Sequence, residues 1–391
     1  MQPLVSILIP AFNAADSIGE TIESAVGQTW PCTEIIVVDD GSTDGTAAIA
    51  RRFPGVRVIF QPNQGAPAAR NKAFSLSRGD YIQWLDADDI LAPQKIARQM
   101  AVLTNCGKRT VASGPDGVFF YRIDKAQFRR TLLWCDLSAL EFITRNKETG
   151  AWFPPFCWLT SRELTESAGP WDERLRCDQD GEFFCRVILA SDGVRFVPDA
   201  RGYYRMRGMN GVHYTGFSSH QLESRALSAR LHVEHVLAIA NTERIRRALV
   251  ADLQSNLVLY HTERPDLIEQ LQRLAQGLGG DLQRPQLRWK FRWLQFLFGW
   301  RAARRAQLLY PELKGALRRR WARLLHRQQQ CDPQFAPPRR CEGCQNLWWR
   351  IYGYKMWGWN CQETGGRAVG SCPITRSRAP FRHRVPQLQR R

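Results

Sequence analysis

The stretch Tyr81-Ile82-Gln83-Trp84-Leu85-Asp86-Ala87-Asp88-Asp89 decides the fold class of this chain. It begins as an apolar strand and ends in three carboxylates within four positions. Clustered carboxylates repel one another and are costly to desolvate unless a cation compensates them. In an open α/β sheet, ligands bind just beyond the carboxyl ends of the strands. The stretch therefore predicts a sheet strand that ends at a cation-binding site.

The residues before this stretch alternate short apolar runs with amphipathic segments. The run Ile35-Ile36-Val37-Val38 is apolar at every position, which is typical of a parallel strand covered on both faces. The alternation predicts an α/β fold whose mostly parallel sheet has helices on both faces. The predicted strands cover residues 5–9, 35–38, 56–60 and 81–85, and the predicted helices cover residues 46–52, 66–76 and 93–103.

The pattern is less regular in residues 109–217, which we expect to complete the same sheet. Strand patterns cover residues 117–123 and 156–160, and helix patterns cover residues 137–145 and 181–190. Residues 219–280 have Leu and Ala at three- and four-residue spacing, which predicts helices. We therefore divide the chain into an α/β domain at residues 1–217, a helical, increasingly basic extension at 218–328, and a basic tail at 329–391 that we expect to be disordered.

The excess of positive charge lies in the C-terminal part of the chain. The net charge is +18, and residues 281–391 hold 24 Lys/Arg against 5 Asp/Glu, so the first 280 residues are close to neutral. Between residues 287 and 327 the bases alternate with Trp and Phe. This pattern favours an anionic membrane surface as a partner, or else a helix that packs its aromatic side chains on the first domain. No nucleic-acid-binding motif accompanies the charge, so we do not expect a nucleic-acid partner.

The sequence favours a cytoplasmic protein that is peripheral at the inner face of the plasma membrane. The first residues lack the basic and apolar regions of a secretory signal, and no apolar run approaches the ~18 residues of a membrane span. The 11 cysteines are odd in number and have no spacing typical of a disulfide framework, which indicates reduced thiols.

Two further predicted strand ends carry side chains suited to a nucleotide. In Pro10-Ala11-Phe12-Asn13, the Phe12 ring can lie against a base. The Asp40 carboxylate can accept hydrogen bonds from uracil or guanine, although residues 40–45 are also typical of a turn with a helix cap. Because the carboxyl ends of parallel strands share one edge of a sheet, we expect all three strand ends to lie close together.

Arg70 and the strand-end carboxylates suit a diphosphate and its metal ion. Arg70 lies one turn into a predicted helix, where the helix N-terminus and the guanidinium can bind phosphate, unless Arg70 is simply solvated. Asp86 and Asp88 can hold Mg²⁺ or Mn²⁺, which proteins bind through few carboxylates plus substrate phosphates. We assign Asp88 as the direct ligand, Asp86 as its partner and Asp89 as a helix-start residue.

These motifs, in this order, resemble the inverting family 2 glycosyltransferases, which have the GT-A fold. The resemblance rests on residues 5–13, 37–46, 63–71 and 86–89, and it covers residues 4–205. It implies a GT-A-like, Rossmann-like domain that binds a UDP-, GDP- or dTDP-sugar as donor. It places Asp40 toward the base and Asp88 toward the metal and the diphosphate, with Pro10, Phe12, Arg70 and Asp86 in the donor site.

The resemblance continues at residues 169–184, where family members have Glu-Asp or Asp-Asp before a helix and use the last aspartate as general base. This chain has Gln179-Asp180, so the resemblance implies that Asp180 is the catalytic base. Asp178 and Glu182 are competing candidates. Trp158 is a candidate for stacking on an acceptor sugar, or else a residue of the core.

The sequence thus predicts an enzyme that moves a sugar from its nucleotide diphosphate to an acceptor hydroxyl with inversion. Its predicted setting is cell-surface polysaccharide or glycoconjugate synthesis, with a glycan or lipid-linked acceptor. One alternative is a sugar nucleotidyltransferase, which would need a Gly-rich, basic triphosphate loop that residues 10–13 do not offer. The other is a non-enzymatic membrane or nucleic-acid adaptor acting through the basic tail.

Overall fold

The computed structural model describes residues 2–206, 218–260 and 264–330. Its largest sheet has five strands in the order β3-β2-β1-β4-β9, of which the first four are parallel and β9 is antiparallel to β4. The predicted α/β class is therefore confirmed. The strands are β1 (Val5–Ala11), β2 (Thr33–Asp39), β3 (Val56–Phe60), β4 (Tyr81–Trp84) and β9 (Thr160–Ser161), and the first helices are α1 (Ile18–Val26), α2 (Thr46–Ala50), α3 (Ala66–Leu76) and α4 (Lys95–Leu103).

The order of the strands predicts a crevice between β1 and β4. The chain passes from β1 to β2 and β3 on one side and then crosses to β4 on the other, and a ligand site is expected at this reversal. The carbonyl of Leu8 accepts the last hydrogen bond from this side, given by the Leu85 N–H at 3.0 Å. Pro10 faces the same side one step further, where its missing N–H leaves no strand partner unsatisfied.

An aromatic cluster lies under the end of β4. Trp84 is fully buried and meets Trp171 and Phe183 edge-on at ring-centroid distances of 5.2 and 5.8 Å. Trp171 and Phe183 are stacked at 4.1 Å. Phe183 belongs to helix α7 (Gln179–Leu189), so the cluster fixes that helix against the strand that carries the carboxylates.

The second half of the α/β domain forms its own small sheets, so the prediction that it completes the first sheet is wrong. One sheet pairs β6 (Thr110–Ser113) with β10 (Gly193–Phe196). The other has the order β5-β11-β7-β8, with strands β5 (Ile90–Leu91), β7 (Asp116–Phe119), β8 (Gln127–Phe128) and β11 (Gly202–Arg205). Among the later strands of the described residues, only β9 joins the large sheet.

The predicted strand at residues 156–160 is also wrong for most of its length. Residues Pro155–Cys157 form a 3₁₀ turn, an isolated bridge pairs Leu159 with Ala112, and β9 begins at Thr160. Pro154 and Pro155 have fixed φ angles and no N–H to donate, which favours a turn over a strand. The predicted helices in this half are confirmed as α5 (Ala139–Thr149) and α7, and a further helix, α6 (Arg162–Ala168), follows β9.

The C-terminal extension is helical in its described parts, as predicted. Its helices are α8 (Ser219–Ile239), α9 (Glu243–Tyr260), α10 (Pro265–Gly277) and α11 (Arg292–Gln330), the last broken at Gly299 with a φ of 77°. None of the helices described here combines the length and apolar character that a bilayer crossing requires. The predicted boundary at residue 217 and all of the predicted tail beyond residue 330 lie outside the described residues.

Candidate active site

The loops that follow β1 and β2 are tied together at the mouth of the crevice. Asn13 adopts a left-handed conformation with a φ of 47°, and its N–H donates to Ser42 Oγ at 2.9 Å. Its Oδ1 accepts the N–H of Thr43 at 2.9 Å. Phe12 lies next to this junction and is 50% exposed. The ring is therefore accessible to a flat ligand, as the sequence predicts.

Asp40 is buried at the end of β2 and supports the start of α3. Its Oδ1 accepts hydrogen bonds from Gln61 Nε2 at 2.7 Å and from the Gln64 N–H at 2.9 Å, and its Oδ2 accepts from the Gly65 N–H at 2.8 Å. A carboxylate has about four acceptor positions, and the three hydrogen bonds to Asp40 occupy three of them. Asp40 thus shapes the loop into α3, and its contact with a base stays a prediction.

Arg70 and Asp86 form an ion pair at the base of the crevice. Arg70 Nη2 lies 2.6 Å from Asp86 Oδ1, and the guanidinium lies 4.3 Å from the ring centroid of Trp171. The Arg70 side chain is buried, yet its Nε and Nη1 have no hydrogen-bond partner among the described residues. Buried unpaired donors are costly, and a phosphate could satisfy them. Arg70 is therefore not the solvated arginine of the alternative interpretation.

Asp89 is not the helix-start residue that we predicted. It is fully buried just before β5, where its Oδ1 accepts the N–H of Arg205 at 3.0 Å and its Oδ2 has no partner in the described structure. Burial raises the pKa of Asp89 well above its ordinary value, and the charges of Asp88 and Asp86 raise it further. Arg205 also donates from Nε to the carbonyl of Asp88 at 2.9 Å, which holds the turn that carries the carboxylates.

The carboxylates suit a metal ion held jointly with a ligand. Within the described residues, no group of three or more His, Cys, Asp or Glu side chains is arranged to hold a metal ion. Mg²⁺ and Mn²⁺ need fewer protein ligands where substrate phosphates supply the rest. Asp86 and Asp88 offer the oxygen ligands that these ions prefer.

Asp180 lies in the first turn of α7 and faces the same site. Its Oδ2 accepts a hydrogen bond from Trp152 Nε1 at 2.6 Å. Burial raises the pKa of Asp180 to about 6, and the charge of Asp178 acts in the same direction, while the Trp152 hydrogen bond and the Arg70 charge oppose the rise. A carboxylate with a pKa near neutrality is suited to accept a proton at neutral pH.

Tyr204 shows that the carboxylates converge. Its ring meets Trp152 edge-on at 5.1 Å. Burial raises the pKa of the Tyr204 hydroxyl well above its ordinary value, and nearby negative charges raise it further, namely those of Asp89, Asp88, Asp86 and Asp180. The two predicted parts of the site, the strand end and the start of α7, are therefore close to one another.

Two predicted site residues belong to the structural core instead. Glu182 is buried and is paired with Arg186 at 2.7 Å and with His235 at 2.9 Å, so it is not free to act as a base. Trp158 is buried among Phe142, Phe153 and Phe184 and cannot stack on an acceptor. Trp152, six positions earlier and 46% exposed, is the tryptophan that reaches the site.

Sequence reasoning missed three residues that lie around the carboxylates. Trp152 Nε1 donates to Asp180, a role that the sequence around Trp152 does not indicate. Tyr204 and Arg205 come from β11, more than 110 residues after Asp89. The dipeptide follows the last predicted elements of the α/β domain without any motif around it, so only the pairing of distant strands identifies it.

The reversal of strand order and the carboxylates at the sheet edge together define an α/β domain of the GT-A class. Residues 6–167 match the family model described as Glycosyl transferase family 2. This part of the chain is therefore similar to that family, as the motifs predicted.

Curated relatives and solved structures agree with this assignment. The chain is 34% identical over 200 residues to the uncharacterized glycosyltransferase RT0329 of Rickettsia typhi, covering 49% of this chain and 60% of the relative. It is 44% identical over 100 residues to the UDP-Glc:alpha-D-GlcNAc-diphosphoundecaprenol beta-1,3-glucosyltransferase WfaP of Escherichia coli, covering 25% of this chain and 40% of that protein. The chain thus spans less than two thirds of each.

A solved structure is similar over a longer range. S. aureus TarS 1-349, crystallised in complex with UDP, matches 67% of this chain and 73% of its own with a TM-score of 0.50. At 18% sequence identity, this likeness shows the fold alone. It confirms the predicted GT-A-like architecture.

The hydrogen bond from Trp152 makes a prediction about the acidity of Asp180. Because this N–H stabilises the ionised carboxylate, Trp152→Phe is expected to raise the pKa of Asp180 above about 6. A ¹³C NMR titration of the side-chain carboxyls, with the Asp180 signal assigned through Asp180→Asn, measures the change. Trp134→Phe is the matched control, because Trp134 Nε1 has no partner in the described structure. An unchanged or lower pKa in Trp152→Phe would contradict the assignment.

Proposed function

We propose that this protein transfers a sugar from a nucleotide-diphosphate sugar to an acceptor hydroxyl with inversion at the anomeric carbon. The observation that carries the proposal is the position of Asp180. It lies in the first turn of α7, within electrostatic reach of the Arg70–Asp86 pair, and has a pKa of about 6. A proton acceptor thus lies beside groups suited to a diphosphate.

In this mechanism, Asp180 removes the proton of the acceptor hydroxyl as its oxygen attacks the anomeric carbon. The nucleoside diphosphate leaves on the opposite side, so the configuration inverts. Most Asp180 side chains are ionised at pH 7 because this pH lies above their pKa. Proton removal by a positioned base is worth about 10² to 10⁴ in rate. Trp152 keeps the carboxylate oriented through its hydrogen bond.

The crevice between β1 and β4 is the proposed donor site. Phe12 is exposed next to this site and can contact the base. The unpaired N–H groups of Arg70 can donate to a phosphate oxygen. The similarity to WfaP, a UDP-Glc:alpha-D-GlcNAc-diphosphoundecaprenol glucosyltransferase, supports a UDP-sugar as the donor and a lipid-diphosphate-linked sugar as the acceptor. GDP- and dTDP-sugars are the alternatives. The setting that we propose is the synthesis of a cell-surface polysaccharide or glycoconjugate.

The proposed metal site consists of Asp88 with Asp86 as its partner. When bound there, Mg²⁺ or Mn²⁺ would neutralise charge on the departing diphosphate. Arg70 already pairs with Asp86, so the chain provides one positive charge at this place from its own side chains. Arg205 orients the turn through the Asp88 carbonyl and the Asp89 carboxylate.

The substitution Asp180→Asn tests the catalytic role. It is expected to lower the rate of sugar transfer or donor hydrolysis by about 10² to 10⁴, because the amide cannot accept the proton. Binding of UDP, measured by calorimetry, should not weaken. Glu182→Gln is the control on the same helix, and its rate per folded molecule is expected to stay close to that of the wild type. A fast Asp180→Asn enzyme with normal UDP binding would refute Asp180 as the base.

Thermal stability measured with added nucleotide tests the donor and the metal. We expect UDP-glucose or UDP-N-acetylglucosamine to raise the melting temperature, and Mn²⁺ to increase the shift, because ligands that bind the native state stabilise it. Asp88→Asn should abolish the contribution of Mn²⁺ and keep a smaller shift from the nucleotide sugar alone. An equal effect of Mn²⁺ on both proteins would exclude Asp88 as the ligand. No shift with UDP-, GDP- or dTDP-sugars would count against the proposed function.

We further propose that residues 284–305 bind an anionic membrane surface, where a lipid-linked acceptor would be found. This segment holds seven Lys/Arg and no Asp/Glu. Three of its aromatic side chains are widely exposed, with Trp289 at 75%, Trp293 at 58% and Phe296 at 90%. Exposed aromatic side chains among bases favour an anionic lipid interface, with about 1 kcal/mol from each base near the surface. This exposure argues against the alternative in which these rings pack on the first domain.

Vesicle co-sedimentation tests this surface. The protein is expected to bind vesicles that contain phosphatidylglycerol, to bind pure phosphatidylcholine vesicles much less, and to dissociate as salt is raised. Trp293→Asp with Phe296→Asp should remove most of the binding. Phe60→Asp is the control, because Phe60 is 60% exposed, much like Trp293, but lies on β3, outside residues 284–305. Equal binding to both kinds of vesicle, or an unaffected double variant, would contradict the proposal.

A further inference from the structure

Helix α8 carries a row of buried polar side chains. Ser224, Ser228 and His232 are spaced four residues apart, so they lie on one face of the helix. They are 4%, 0% and 3% exposed. Polar groups that are buried to this degree need hydrogen-bond partners.

The segment that leads into α7 supplies a hydrogen-bond partner to every member of this row. Ser224 Oγ accepts the N–H groups of Arg176 at 2.7 Å and Cys177 at 2.9 Å. Ser228 Oγ donates to Asp178 Oδ2 at 2.6 Å, and His232 Nε2 lies 3.2 Å from the same oxygen. Three successive turns of α8 therefore hold residues 176–178.

The held segment determines where α7 begins. Asp178 precedes the helix in a left-handed conformation, with a φ of 55°, which few residues other than Gly, Asn and Asp adopt readily. Asp180 follows two positions later, in the first turn of α7. A change in the backbone at Asp178 would therefore move the carboxylate of Asp180.

We propose that the row Ser224–Ser228–His232 positions Asp180 for catalysis by holding residues 176–178, with His232 as a positioning residue. The helical extension is then part of the catalytic apparatus. This inference rests on the proposed function of Asp180 as the base. It goes beyond that function because it assigns a catalytic contribution to a helix that lies outside residues 6–167.

The charges around His232 are consistent with this role. The groups that face it are Asp178, Lys147 of α5 and Cys185 of α7, and Lys147 is in turn paired with Asp252 of α9 at 3.4 Å. Burial and the charge of Lys147 lower the pKa of His232, but the Asp178 hydrogen bond helps to raise it to about 9. Burial raises the pKa of Asp178, but the hydrogen bond and charge of His232 outweigh this and keep it well below its ordinary value.

The sign of the resulting pH dependence follows from these pKa values. Since the pKa of His232 is raised in the folded protein, its contribution to stability is complete below about 6.5 and is lost as the pH rises through about 9. The stability difference between wild type and His232→Ala should therefore shrink over this range. This measurement tests the contact between His232 and Asp178 without any use of enzyme activity.

The activity experiment compares His232→Ala, Asp178→Asn and the double variant, with UDP-glucose hydrolysis as the readout. His235→Ala is the matched control, because His235 is one turn further along α8 and contacts a different acidic residue, Glu182 of α7, at 2.9 Å. The stabilisation by UDP reports donor binding separately. His232→Gln, whose amide can still donate to Asp178, and Ser228→Ala replace His232→Ala if that variant does not fold.

We expect His232→Ala to lower kcat by about tenfold to 100-fold, with the KM for UDP-glucose and the UDP shift unchanged, because a displaced base slows the chemistry and not binding. His232→Gln should recover part of the loss, and His235→Ala should stay close to wild type. The double variant should be no slower than Asp178→Asn. In Asp178→Asn the acidic limb of the pH profile should move to lower pH, since the Asp178 charge raises the pKa of Asp180.

Several outcomes would overturn the inference. One is a double variant whose kcat falls by the product of the two single effects. Another is a rise in KM with an unchanged kcat in His232→Ala. A third is a His235→Ala enzyme as slow as His232→Ala. Failure of the proposed function has a different signature, since the wild type itself would then release no UDP, or Asp180→Asn would retain full activity.

Discussion

The site depends on groups that offset the repulsion between its carboxylates. Asp86, Asp88 and Asp89 follow a single strand, and Asp180 approaches them from another helix. Three other elements donate hydrogen bonds to these carboxylates. The donors are the Arg70 guanidinium from α3, the Arg205 N–H from β11 and the Trp152 indole from the loop after α5. Because these groups are distant in sequence, only the folded chain brings them to the carboxylates. The fold and the site therefore specify each other.

The parallel sheet determines where this cluster can exist. β1 continues beyond the last hydrogen bond to β4, and the reversal of strand order leaves the space above that point open. Pro10 marks the place in the sequence, because a proline in a central strand requires an unpaired position. The Trp171 ring is stacked on Phe183, and the Arg70 guanidinium lies over Trp171, within reach of Asp86.

The sequence was most informative where local pattern determines structure. The first four strands and the carboxylates at their ends follow from runs of apolar residues and abrupt changes in polarity, which require no knowledge of distant contacts. The assignments of Trp158 and Glu182 failed for the opposite reason. Trp152 and Trp158 both lie among apolar and aromatic residues, so the local sequence does not distinguish them. Tertiary packing buries Trp158 and leaves Trp152 partly exposed.

The error at Glu182 arose from helix phase. Asp180 and Glu182 both lie in the first turn of α7 but on different faces, and Glu182 points into the core, toward α8. The small sheets were missed because their pairings join strands far apart in sequence, such as β7 and β11. Likewise, nothing local identifies His232 as a partner of Asp178, which precedes it by 54 residues.

The family match ends at residue 167, thirteen positions before the proposed base. If Asp180 is the base, the matched segment holds the proposed donor site and lacks the base. A chimera joined at residue 167 would exchange the nucleotide pocket while retaining the foreign base and everything that orients it. Recombination that keeps the two parts compatible must instead preserve the pairing of α7 with α8, so the practical unit of exchange extends at least through α8 at Ile239.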